Sequence, residues 1–239
     1  MAGHSHWAGI KHKKGRQDKL RSKIFSKISR EITVAAKLGS KDPSTNHRLR
    51  AAIESAKEAN MPKDNIDRAI NKSDIGKNEN YENLRYEGFG PKNIALIIET
   101  LTDNKNRTAG AIRTALQKFG GNLGSSGSVT HFFYNCGIIQ IPNKSISEEK
   151  ALEFAAAVGA KDCLSQKDFH EIVTKKEDFY KVKNEAEKTM LELTYSAIEW
   201  RPNNPINLKK EEALEVESML EVLEENDDIQ NVFHNCKFL

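Results

Sequence analysis

The apolar residues change their spacing once along the chain, and that change limits what it can fold into. Between residues 18 and 38, Leu20, Ile24, Ile28 and Ile32 recur every four residues with Phe25 and Ala35 beside them, so one apolar stripe follows the turn of a helix. Gly39 ends the pattern, and the lysines off the stripe are expected to face away from the core. After Asp42-Pro43 a second helix is predicted over 47–59, burying Leu49, Ala52, Ile53 and Ala56. Pro62 opens a third helix in its first turn, with Ile66, Ala69 and Ile70 inward and an end near Asn71. From Tyr81 the spacing becomes alternation. Leu84 and Tyr86 alternate with polar residues, Gly88-Phe89-Gly90-Pro91 reads as a turn, and 94–100 reads as a buried strand, which together make a hairpin.

The rest of the chain follows from the same two periods. Asn104 or Asn106 caps a helix with Ile112, Ala115, Leu116 and Phe119 inward, Gly120-Gly121 stops it, and a strand is predicted over 128–135. Residues 136–201 then read strand (138–141), helix (147–158), strand (162–164), strand (170–174), helix (176–189), strand (193–200). That order, βαββαβ, is the ferredoxin-like unit. An acidic helix over 208–225 and a last strand over 229–234 complete nothing by themselves, but they do complete the ββαβ set of 81–135. The expected fold is therefore α+β in three domains: a basic three-helix bundle (1–76), a discontinuous α/β domain (77–135 plus 205–239), and an inserted ferredoxin-like domain (136–204).

Charge divides the chain at the same place. Residues 1–76 hold 17 lysines and arginines against 8 aspartates and glutamates, a balance of +9, whereas the whole protein stands at only +3. A basic half joined to an acidic half points to a polyanion as partner of the first, because clustered cations release counterions from phosphates. A solvated helix face with a basic tail is the plainer reading, and a protein-interaction scaffold, whose binding would be insensitive to salt, is a further alternative. With 38% hydrophobic and 30% charged residues, the chain is too polar for a membrane protein and too apolar for disorder. Its longest apolar run, around 94–98, falls far short of the roughly 20 residues of a spanning helix. The first residues lack an apolar signal core, so a cytoplasmic location is expected, with no membrane partner. Cys136, Cys163 and Cys236 are too irregularly spaced for a disulfide framework or a metal site, and read as reduced, buried thiols.

Few constellations carry chemistry. The glycine-rich stretch 120–127 follows a helix and precedes a strand, the reverse of a phosphate-binding loop, and lacks its Gly-Lys-Ser/Thr ending. Its serines lie in no nucleophile elbow, and His131 reads as a half-buried aromatic position. Glu148, Glu149, Glu185 and Glu187 fall on outer helix faces, so no acid–base role, no enzyme activity and no cofactor are expected. His4, His6 and His12 have no cysteine partners for structural zinc. Removal of Met1 would give Ala2-Gly3-His4 a square-planar nitrogen set for Cu(II) or Ni(II), an incidental site that a missing d–d band would exclude. The strongest candidate is nucleic-acid binding. His4, His6, Trp7 and His12 interleave with Lys11, Lys13, Lys14 and Arg16, joined by Lys19, Arg21, Lys23 and Lys27, a mix of flat rings and cations that suits stacking and phosphate neutralisation. A second anion site is conceivable at Asn104, Lys105, Asn106 and Arg107, where ordinary capping explains the residues equally well.

These residues resemble the YebC/PmpR family, which includes the mitochondrial translational activator of cytochrome c oxidase. The likeness lies in 1–7 (MAGHSHW), Lys14-Gly15-Arg16-Gln17-Asp18, Ile24-Phe25-Ser26-Lys27 and Arg30-Glu31-Ile32. It continues in Asp42-Pro43 with Asn46 and Arg48-Leu49-Arg50, in 60–66 (NMPKDNI), in Tyr86-Glu87-Gly88, in Thr102-Asp103-Asn104 with Asn106-Arg107-Thr108, and in 120–124 (GGNLG). The resemblance implies the three-domain arrangement, no catalysis, and a cytoplasmic regulator that binds nucleic acid. Its targets diverge: promoter DNA in transcription, or the ribosome and its RNA during translation through proline-rich stretches, with the acidic domains contacting a protein partner. Phe89 stands where the family often has Tyr, Lys92-Asn93 where it has Gly-Gly, and His6 where Lys is commoner.

Overall fold

In a computed structural model, which describes residues 17–74, 81–189 and 191–238, helix α1 (Gln17–Leu38) is the spine of the N-terminal part. Its Ile32, Ala35 and Ala36 pack on Leu49, Ala52 and Ala56 of α2 (His47–Glu58) and on Ile66 and Ala69 of α3 (Lys63–Lys72). Asn46 caps α2, its side chain accepting from the Leu49 N–H and donating to the carbonyls of Ala35 and Ser40, so one amide ties two helix ends together. Pro62 is the N-cap of α3 rather than its first helical residue.

The hairpin forms as expected: β1 (Glu82–Phe89) and β2 (Ala95–Thr102) pair antiparallel over eight residues each. Gly88 and Phe89 belong to the strand, and the turn is instead a 3-10 turn over Pro91–Asn93. Helix α4 (Lys105–Lys118) and the two-residue strand β3 (Asn122–Leu123) follow. The strand expected over 128–135 does not exist as such: a 3-10 turn occupies Thr130–Phe132. One strand, β4 (Phe133–Pro142), runs unbroken through what alternation had divided in two.

After β4 come α5 (Glu148–Val158), β5 (Asp162–Ser165), β6 (Phe169–Lys175), α6 (Phe179–Lys188) and β7 (Tyr195–Pro202). The four strands form an antiparallel sheet in the order β5-β6-β4-β7, with Ile139, Ile141 and Ile172 packed under Ala155, Phe179 and Val182 of the helices. This is the ferredoxin-like arrangement. A parallel pair missed by alternation, β8 (Ile206–Leu208) with β10 (Cys236–Phe238), flanks α7 (Lys210–Glu224) and β9 (Ile229–His234).

Strand β9 joins β2, giving the first sheet the order β3-β1-β2-β9. Its one face holds Leu96, Ile98 and Val232 against Ile112 and Leu116 of α4 and Val216, Met219 and Leu220 of α7. Its other face, through Ala95, Ile97 and Phe233, meets Val129 and Phe133 at the start of β4 and Trp200 of β7. The fold is α+β, and the two sheets share an apolar contact.

Candidate nucleic-acid interface

The cations of α1 do not all face solvent. Lys27 is buried, its Nζ donating to the Gln230 carbonyl at 3.3 Å beside the Glu224 carboxylate. Burial pushes Lys27 down to about 8 and Glu224 up to about 7, and Glu224 Oε1 has no hydrogen-bond partner among the described residues. Lys23 reaches Glu225 at 3.7 Å, and Arg30 donates to Asp228 at 2.6 Å and to the Leu101 carbonyl at 3.2 Å. Helix α1 therefore has a second inward face, which docks on the acidic end of α7 and the loop before β9. Expected as a solvent-facing cation of the interface, Lys27 belongs to that contact instead, because α7 and β9 pack over it. Arg21 is exposed, holding the Asn60 carbonyl at 3.4 Å and lying 5.4 Å from the Phe25 ring. His4, His6, Trp7, Lys11, His12, Lys13, Lys14 and Arg16 lie outside the described residues, as does the side chain of Lys19.

Asn104 and Arg107 serve the fold. The Asn104 side chain caps α4, accepting from the Arg107 N–H at 3.1 Å. Arg107 pairs with Asp103 at 2.7 Å and with Asp228 at 2.8 Å. Asp228 is almost wholly buried and also accepts from the Thr108 hydroxyl at 2.7 Å. Burial alone would raise its pKa, but the hydrogen bonds from Arg107, Thr108 and Arg30 outweigh it and hold the carboxyl below the usual carboxylate range. Capping and an internal clasp thus account for Asn104 and Arg107, while Lys105 and Asn106 remain exposed beside them.

A similar internal use occupies the residues just after the glycine-rich stretch. The buried Glu87 carboxylate accepts from the Val129 N–H at 2.8 Å, the Thr130 N–H at 3.1 Å and the Thr130 hydroxyl at 2.7 Å. These are the donors a phosphate would need, and a carboxylate of the chain itself holds them.

What α1 leaves open is a cleft of about 520 Å³ between α1, α3, Tyr81 and Asp227. Arg30, Lys37, Arg68 and Lys72 line it. The Tyr81 ring has the Arg30 guanidinium and the Lys37 ammonium each 6.0 Å from its centroid. Arg68 is oriented by neutral acceptors, the Asp64 carbonyl at 3.1 Å and Asn65 Oδ1 at 2.9 Å, and among the described residues neither it nor Lys72 forms an ion pair. The cleft residues were not singled out by sequence; the signal that could have found them is the i, i+3, i+4, i+7 spacing of Asn65, Arg68, Ala69 and Lys72 on one face of α3.

Catalytic or metal geometry is scarce. Ser165 meets His170 Nδ1 at 2.9 Å, but the other ring nitrogen meets the Ile146 carbonyl, so this pair lacks the carboxylate of a triad. The described residues hold no cluster of three or more His, Cys, Asp or Glu placed for a metal, and no helix among them is long and apolar enough to cross a membrane.

Models of known families match nearly all of this chain: the TACO1/YebC protein N-terminal domain over residues 5–75, and the TACO1/YebC second and third domain over residues 81–236. The chain belongs to the TACO1/YebC family. A probable transcriptional regulatory protein of Pelagibacter ubique is 54% identical over 238 residues, covering 100% of this chain and 99% of the relative. One of the same description from Zymomonas mobilis is 51% identical, covering 98% and 94%. The crystal structure of a conserved hypothetical protein from Aquifex aeolicus superimposes with a TM-score of 0.84 at 44% identity, covering 98% of each chain. Two of the YebC blocks quoted above sit at junctions of this fold: Asn46 at the α1–α2 junction, and Thr102 to Thr108 around Asp228.

Proposed function

We propose that this chain is a non-enzymatic, nucleic-acid-binding regulator of gene expression, with the N-terminal helices and the arm before them holding the polyanion. The observation that carries this reading is the charge left over after docking. Lys23, Lys27 and Arg30 are matched by Glu225, Glu224 and Asp228, whereas Arg21, Arg68 and Lys72 form no ion pair among the described residues. Residues 1–16 add four more cations and no acid. In this reading residues 1–76 bind, while 77–135 with 205–239, and the inserted 136–204, orient the binding unit and meet a protein partner in the cytoplasm.

The description shared by the relatives, probable transcriptional regulatory protein, supports DNA as the target. A second reading, ribosomal RNA in translation, is favoured by Trp7 and the histidines among the arm's cations, which suit unpaired bases better than a groove. Changing Lys11, Lys13, Lys14 and Arg16 together to Ala should weaken binding at least ten-fold without altering the melting temperature; unchanged affinity would remove the arm from the account. Sedimentation of a lysate through sucrose separates the targets. Salt-sensitive travel with ribosomes selects RNA, and a protein left at the top selects DNA.

A further inference from the structure

We propose that the cleft between α1, α3 and Tyr81 receives a single unpaired nucleotide of the bound strand, its phosphate on Arg68 and Lys72 and its base beside Tyr81. This rests on the reading of the chain as a nucleic-acid binder and deepens it to a class of partner. Size is the first argument. About 520 Å³ lies within the range of roughly 300–1,000 Å³ typical of pockets for small ligands, the class to which one nucleotide belongs. A double helix presents its bases only from within its grooves, so it cannot place one here without unstacking it.

Charge and shape are the second. The planar guanidinium of Arg68 is held in place by a backbone carbonyl and the Asn65 amide oxygen, neither of which cancels its charge. A fixed fork of donors matches a phosphate, and Lys72, one turn further along α3, adds a second cation on the same face. Tyr81 also lines the cleft, and its ring, with Arg30 and Lys37 each 6.0 Å from the centroid, supplies the aromatic surface beside which an unpaired base is held. Asp227, the one carboxylate among the described lining residues, repels a phosphate and so favours its seat beside the cations of α3. The occupant would also lie beside Arg30, which lines the cleft and pairs with the buried Asp228.

The test uses the full chain and fluorescence anisotropy with a labelled twelve-nucleotide single strand and a hairpin duplex, at several salt concentrations. R68A/K72A should lose at least ten-fold in strand affinity, and its log–log salt slope should become shallower by about 1.4, from two contacts at about 0.7 each. Y81L should weaken the strand with the slope unchanged and Y81F should restore it, while duplex binding should move little in the Tyr81 variants and lose less than strand binding in R68A/K72A. Melting temperatures equal to wild type establish that each variant is folded. Wild-type strand affinity and slope in both R68A/K72A and Y81L, with the K11A/K13A/K14A/R16A variant impaired, would overturn the cleft while leaving the nucleic-acid reading intact. Loss of duplex binding as large as that of the strand would overturn it as well. Salt-independent binding, or none, by the wild-type chain would overturn the underlying reading.

Discussion

Asp228 shows how much one residue can carry. Its carboxylate gathers Arg30 from the helical bundle, Arg107 and Thr108 from α4, and Thr102 from β2. Removing one partner of a buried ion pair costs about 3–5 kcal/mol, and because Arg107 is half exposed the expected cost of Asp228→Asn is smaller, about 2 kcal/mol. The sign with pH follows from the lowered pKa: the stabilisation is present above the unfolded value and is lost as pH falls through the folded one. Denaturant melts of Asp228→Asn and wild type should therefore differ at pH 7 and converge in acid. Lys27 and Glu224 behave in the opposite way. Burial disfavours the charged lysine at low pH and the charged glutamate at high pH, with Lys23, Asp227 and Glu221 setting the local field. Lys27→Met removes the low-pH penalty and leaves Glu224, already at about 7, without its cation. Relative to wild type, the melting temperature of Lys27→Met should be higher at pH 5 and lose that advantage by pH 8.

At the scale of elements, two turns make opposite predictions. A Cβ on Gly121 would lie 2.3 Å from the Phe89 carbonyl oxygen and 3.0 Å from Gly90 Cα, both backbone atoms that cannot step aside. Gly121→Ala should thus cost about 1–3 kcal/mol, as overpacking does. Lys92 sits at φ 58° in the hairpin turn, a conformation that a Cβ disfavours, so Lys92→Gly should stabilise by up to about 1 kcal/mol. Equilibrium unfolding of the two variants checks both signs. The βαββαβ order and the closing helix–strand were legible in sequence because each element keeps one clean hydrophobic period. The division of β4 was not, since Asn135 and Gly137 interrupt an alternation that the backbone pairing with β7 carries straight through. Nor was the inward face of α1. Lys27 and Arg30 occupy positions that periodicity assigns to solvent, and only the arrival of α7 and β9 from about two hundred residues away buries them.

For the whole molecule, the basic and acidic halves are partly each other's counterions. The acidic end of α7 takes up the inner cations of α1, which fixes the bundle on the first sheet and, among the described residues of the bundle, leaves the cleft face basic. Lys183 of the ferredoxin-like unit meets Glu54 and Glu58 of α2 in the same manner, so both α/β parts hold the bundle through charge. Net charge alone would have predicted little, at +3. Its distribution predicts a polyanion partner for one face only. The measurement that tests this most directly is the affinity of the full chain for nucleic acid as a function of salt. Roughly five phosphate contacts predict a log–log slope near −4.5 on duplex and about −3.5 on a single strand. A slope near zero would contradict the account and leave a scaffold for proteins in its place.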